Sequence, residues 1–194
     1  MSVGDLPARH EEAWLRATRH PFLAQVREGT LPEDAFAVWL VQDYLFVSDL
    51  LRFQARLLAV APREAQAVLA GGAVALVDEL AWFEGHAERL RLDLGAERLP
   101  ATRAYAELLA RLETAESGTA LTALWALERV YLDSWSFAAP AAEPYDEFVA
   151  HWTTPEFHAY VGALEAAADA AGGREDEFLA VVEAEEAFWD TALP

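Results

Sequence analysis

Apolar residues recur at three- and four-residue steps along almost the whole chain, and the clearest run occupies residues 119–135. There Leu121, Leu124, Trp125, Tyr131, Leu132 and Trp135 form the stripe of an amphipathic helix. Glu128 stands inside that stripe, one turn after Trp125 and one turn before Tyr131 and Leu132. An ionised carboxylate among aromatic rings is costly, so Glu128 must be partnered, protonated or in use.

The same pattern predicts further helices on either side. Residues 8–28 read as one helix ending at Gly29, with a kink or break at His20-Pro21-Phe22, because proline removes a backbone donor. Residues 31–60 carry the stripe Phe36, Trp39/Leu40, Asp43, Phe46/Val47 and Leu50/Leu51, again with an acid at a core position. Residues 62–94 carry Leu69, Ala73, Leu76, Leu80, Phe83, Ala87 and Leu90, flanked by Glu79 and His86, with Gly71-Gly72 expected to loosen the helix locally. A helix over 102–116 bears Tyr105. After an Ala/Pro-rich loop at 138–144 come shorter helices at 145–151 and 155–171. A last helix at 174–192 has the stripe Phe178, Val182, Glu185 and Trp189. No strand-like alternation, repeat or low-complexity tail interrupts this series. The reading is an all-α fold of eight or so helices in a single domain over residues 1–194, a globular packing rather than a simple four-helix coil.

Composition narrows the chemistry. A chain of 194 residues that is 54% hydrophobic can bury a sizeable core. The net charge of −19 argues against nucleic acid or an anionic membrane as partner. With no cysteine there is no disulfide, thiolate metal site or thiol nucleophile. All 14 basic residues are arginine, which removes a Schiff-base or P-loop lysine. Residues 1–7 do not form a basic-then-apolar signal, and no uninterrupted apolar run is long enough to span a membrane. A cytoplasmic protein is expected.

Asp43, Glu128 and Glu185 each interrupt the apolar stripe of a different helix. A shared polar pocket explains all three, walled by Tyr44, Tyr105, Tyr131 and tryptophans able to stack on a flat ring. Carboxyls in a dry site split their pKa values into an acid and a base, the minimum for hydrolysis without a metal.

Several short motifs fall in one order along the chain: His20-Pro21-Phe22, Gly29-Thr30-Leu31-Pro32, Gln42-Asp43-Tyr44 and Glu185-Glu186-Ala187-Phe188-Trp189-Asp190. In these the chain resembles the thiaminase II (TenA-like) family, which has a haem-oxygenase-like multi-helical bundle fold. The resemblance implies that Asp43 contacts a pyrimidine, Tyr105 lies near the reacting centre, Glu185 works as acid/base and Phe188 stacks on the ring. Familiar members carry a nucleophilic cysteine where this chain has Ala126-Leu127-Glu128. Trp125-Ala126-Leu127-Glu128-Arg129-Val130-Tyr131 is similar to a cysteine-less branch with a glutamate there, associated with hydrolysis of formylamino- and aminopyrimidines in thiamin salvage. Phe46 and Trp152 stand where the cysteine branch often has tyrosines.

The expected machinery is then Glu128 and Glu185 as catalytic acid/base groups, with Glu128 as base on water or sharing a proton with Glu185. Asp43, Tyr44, Phe46, Tyr105, Tyr131, Trp152 and Phe188 are expected to bind the substrate. The expected partner is a small-molecule pyrimidine, with no cofactor or metal, and the resemblance implies a homodimer or homotetramer. Two alternatives stay open. A metal-dependent oxidase could use Glu79, His86 and Glu128, although His86 reads more simply as a packing histidine. A non-catalytic pyrimidine binder is the other. His151 and His158 read as surface or packing residues, and His20 as an anchor ahead of Pro21.

Overall fold

The computed structural model describes residues 2–193. Among them the regular structure is helical throughout. The helices are α1 (Leu6–Arg9), α2 (Glu11–Thr18), α3 (Pro21–Glu28), α4 (Glu33–Val60), α5 (Gln66–Leu90), α6 (Pro100–Leu112), α7 (Ser117–Ala138), α8 (Asp146–His151), α9 (Pro155–Ala170) and α10 (Glu175–Trp189). Short 3-10 turns stand at Val3–Asp5 and Asp190–Ala192.

Local chemistry sets the ends. Of the kink or break expected at His20-Pro21-Phe22 the chain takes the break: Pro21 starts a new helix, where its missing N–H is no loss. The His20 side chain accepts the Phe22 N–H and its ring also pairs with Asp190, so His20 caps the segment it was expected to anchor. A further break at His10, which was not expected, makes three helices of the segment. Gly29 ends α3 with φ +67°, a conformation glycine takes without cost. Thr154 caps α9 ahead of Pro155. The acids expected near helix starts do occupy first turns: Glu11 and Glu12 in α2, Glu33 and Asp34 in α4, Glu175 and Asp176 in α10.

α7 is the central element, buried on every side from Gly118 to Ala138 apart from Thr119, Arg129, Asp133 and the Ser136–Phe137 edge. α2, α3, α4, α9 and α10 pack around it, α5 forms a hairpin with α4, and α6 bridges α4 and α10. One apolar core runs through the described residues from Val3 to Ala192. Its densest part is aromatic: Trp39, Trp135, Trp152, Trp189 and Tyr131 touch through ring pairs 4.5–6.1 Å apart.

α5 departs from expectation twice. Gly71-Gly72 does not loosen it, since the helix runs through both. By length and composition α5 is also apolar enough to cross a membrane, with mean hydropathy 1.3. Its hydropathy comes from alanine, valine and leucine, and Asp78 and Glu79 interrupt it, which is why no uninterrupted apolar run was read. Its outward face exposes Val74 and Val77, while Leu69, Leu76 and Phe83 face the core.

Candidate active site

Four carboxyls converge from four helices: Asp43 from α4, Glu79 from α5, Glu128 from α7 and Glu185 from α10. Asp43, Glu128 and Glu185 are buried and Glu79 is half-buried. Beside them is a cavity of about 670 Å³ between α4, α5, α7, α8 and α9. Phe46, Leu50, Leu76, Trp82, Leu127, Tyr131, Trp152, Phe157 and Tyr160 give it apolar and aromatic walls. Glu79 and Glu128 are on its wall, with Asp78 and Glu156 beside them, and no arginine lines it. Such a chamber suits a flat ligand that brings hydrogen-bond donors or positive charge.

Each acid has its own partner. Tyr131 donates its hydroxyl hydrogen to Asp43 Oδ2 at 2.7 Å, while Asp43 Oδ1 is buried without a partner. The Trp152 indole N–H donates to Glu79 Oε1 at 2.7 Å. Tyr105 donates to Glu185 Oε1 at 2.6 Å. The Tyr160 hydroxyl faces Glu128.

Burial dominates the protonation of all four. It raises Asp43 well above the usual carboxylate range, partly offset by the Tyr131 hydrogen bond. It raises Glu79 to about 7 against the Trp152 hydrogen bond. It raises Glu128 to about 8, assisted by the charges of Glu79 and Glu185 and opposed by the Tyr160 hydroxyl. Glu185 also rises to about 8, with Tyr105 opposing. Near neutral pH the cluster therefore holds protons and can both give and take them.

The structure sorts the expected site residues into layers. Phe46, Glu128, Tyr131 and Trp152 line the cavity. Asp43, Tyr105, Glu185 and Phe188 lie in the layer behind, where Phe188 packs against Phe46 and Tyr105. Tyr44 corrects the expectation: it lies outside the cavity, its hydroxyl bonded to Glu84 at 3.2 Å and its ring edge-on to Phe83. Successive helical residues point about 100° apart, so Asp43 facing inward turns Tyr44 away.

Glu79, Tyr160 and His151 were not expected in such a site. Glu79 had been weighed only as a metal ligand, yet Leu76, Glu79 and Phe83 share one helical face, and that phase was the available signal. Of the two expectations for His151, surface or packing, the structure takes packing: half-buried, it stacks on Trp82 with centroids 4.0 Å apart and planes 6° apart and lines the cavity. Nothing local in the sequence marks that stack. The metal reading finds no donor set. Glu79 is engaged by Trp152, His86 accepts from Arg89 at 2.6 Å and packs on Trp82, and among the described residues no three His, Asp or Glu side chains are placed to share an ion.

Comparison with known proteins fits this architecture. The model of the TENA/THI-4/PQQC family matches residues 7–194. A soybean (Glycine max) relative, named "Probable bifunctional TENA-E protein", is 37% identical over 142 residues. That match takes in 64% of this chain and 62% of the relative, so the chain spans less than two thirds of that protein's length. A TenA homologue from Pyrococcus furiosus superposes with a TM-score of 0.93 at 30% identity, covering 99% of this chain and 100% of that one. A protein from a Silicibacter species, described as a TenA family transcription regulator, shares the fold at TM-score 0.89 and 21% identity, with 98% and 96% covered.

Proposed function

From the premise that the chain belongs to the TENA/THI-4/PQQC family, we propose that it hydrolyses a carbon–nitrogen bond of an aminopyrimidine or formylaminopyrimidine in thiamin salvage. The observation that carries this reading is the meeting of four protonatable carboxyls beside a ring-lined chamber that no arginine enters. The TENA-E name of the 37% identical relative supports a thiamin-related role, as does the absence of any cysteine in this chain.

In this reading Asp43 Oδ1, unpartnered in the protein, accepts from the amino edge of the pyrimidine, while Phe46, Tyr131 and Trp152 hold the ring. Water supplies the oxygen that bonds to carbon. An ionised carboxyl takes the proton water loses, and a protonated one gives its proton to the departing nitrogen as the C–N bond breaks. An aminomethyl substrate then yields the hydroxymethyl pyrimidine and ammonia. A formylamino substrate yields formate and the amine. Acid–base groups placed this way contribute about a hundred- to ten-thousand-fold in rate.

The test is product analysis by mass spectrometry over a panel of thiamin breakdown products, beside a thermal-shift binding assay. Turnover of an amino- or formylaminopyrimidine is expected. Binding without turnover would replace the reading with that of a pyrimidine-binding protein. A homodimer or homotetramer is part of the same proposal, with the exposed Val74 and Val77 on α5 as a surface it could cover. A sizing column checks it.

A further inference from the structure

Two of the four carboxyls reach the chamber. Glu128 on α7 and Glu79 on α5 stand on its wall, while Glu185, 1% exposed, lies in the layer behind with Oε1 held by Tyr105. A group that takes a proton from water must come within hydrogen-bond reach of it, directly or through one further water. Glu79, half-buried and on the wall, meets that condition.

Such a base must also be ionised, and the chamber offers little to hold a negative charge. No arginine lines it. Burial lowers the pKa of His151 on the same wall, so near neutral pH that ring carries no positive charge. Tyr131 gives its proton to Asp43, and the Tyr160 hydroxyl lies 3.2 Å from Gln54 Oε1 across the seam where α4 meets α5. What Glu79 has is the Trp152 indole N–H, 2.7 Å from its Oε1. An indole nitrogen can only donate, so this contact favours the carboxylate over the acid. Packing fixes the direction of that N–H: the Trp152 ring stacks on Trp135 at 4.5 Å and stands edge-on to Trp39, Trp82 and Tyr131. Glu79 Oε2 has no hydrogen-bond partner among the described residues and is the oxygen left for the chamber.

We propose that Glu79 is the catalytic base of this site and that the Trp152 indole is its positioning residue. This rests on the hydrolytic reading of the cavity and names the group that activates the water. Glu79 Oε2 takes a proton from water as the water oxygen bonds to the substrate carbon. The carbon–nitrogen bond breaks, and the nitrogen keeps the electron pair and receives a proton from Glu128, the other carboxyl on the wall. The sequence-based expectation of Glu128 as base on water is thereby reversed. The protonation order agrees. Burial raises Glu79 to about 7 and Glu128 to about 8, and the charge of Glu79 adds to the rise of Glu128.

The titratable groups facing Glu79 are Asp43 on α4, Asp78 on its own helix, Glu128 and Tyr131 on α7, His151 on α8, and Glu156 and Tyr160 on α9. Each is acidic or neutral near pH 7, which leaves the indole N–H as the contact that steadies the carboxylate.

The experiment follows kcat/KM against pH with whichever aminopyrimidine or formylaminopyrimidine turns over. Below about pH 7 the wild-type value should fall as Glu79 takes up a proton. Glu79→Gln keeps an oxygen for the indole N–H and removes the base, so kcat should drop about a hundredfold or more and that acid limb should disappear. Trp152→Phe keeps a ring in the wall and removes the N–H, so the limb should move up by about one pH unit. In Glu185→Gln the limb should stay where it is. The substrate's own titration is common to all these profiles, so a difference between variants reports the protein. A limb that persists in Glu79→Gln, or stays put in a folded Trp152→Phe, would overturn the proposal. So would a limb lost in Glu185→Gln, which would move the base to the layer behind. Should Trp152→Phe not fold, the Glu79→Gln and Glu185→Gln profiles decide between them. Absence of wild-type turnover across the whole panel defeats the hydrolytic reading itself, and the base assignment with it.

Discussion

Glu128 and Asp43 differ in what their environments ask of them. Glu128→Gln preserves shape but removes the transferable proton. Turnover should drop about a hundredfold or more while pyrimidine binding, followed by thermal shift, stays close to wild type. Asp43→Asn keeps an oxygen for the Tyr131 hydroxyl and puts an amide NH2, which can only donate, in place of the unpartnered carboxyl oxygen. Substrate affinity should weaken by about 1.5–3 kcal/mol, read as a rise in KM or dissociation constant rather than a pure loss of kcat. Both acids were legible as interruptions of an apolar stripe. Tyr44 shows the limit of that reading: adjacency to Asp43 in a motif says nothing of direction, and one step along the helix puts its ring on the far side.

At the scale of the element, α5 carries more than its sequence advertised. A substitution Gly72→Ala forces a methyl group into the Tyr160–Gln54 contact and should destabilise by about 1–3 kcal/mol in denaturant unfolding. Gly85→Ala, in the same helix with no atom within 4 Å of the added carbon, should stabilise by about 0.5–1 kcal/mol. The opposite signs would separate close approach from helix propensity. Helix existence was readable because periodicity is local, and so were stops such as Gly29. The break at His20-Pro21 was readable too, from proline alone; the second break, at His10, carries no such mark in the sequence.

For the whole molecule, the buried acids set how stability follows pH. Glu79, Glu128 and Glu185 have folded pKa values of about 7, 8 and 8 against an ordinary 4.5. Between 4.5 and those values the folded chain keeps protons that the unfolded chain has released. Their contribution is thus full below about 4.5 and is lost as pH rises through 7 and 8. His20, His86 and His151 have lowered values and oppose this trend only below their ordinary 6.5. Unfolding followed in denaturant should therefore show stability falling by on the order of a few kcal/mol from about pH 6.5 to 8.5. Glu128→Gln should flatten that slope.

The sequence by itself determined the helices, the all-α class and three of the four inward acids, because hydrophobic spacing along one segment is a local property that the chain carries without its neighbours. Tertiary structure alone decided that Glu79 joins them, that His151 lies against Trp82 in the cavity wall, and that the Tyr160 hydroxyl meets Gln54 across the seam. Those facts depend on which side chains from distant segments share a few ångströms, and hydrogen-bond direction is settled only when both partners are in place.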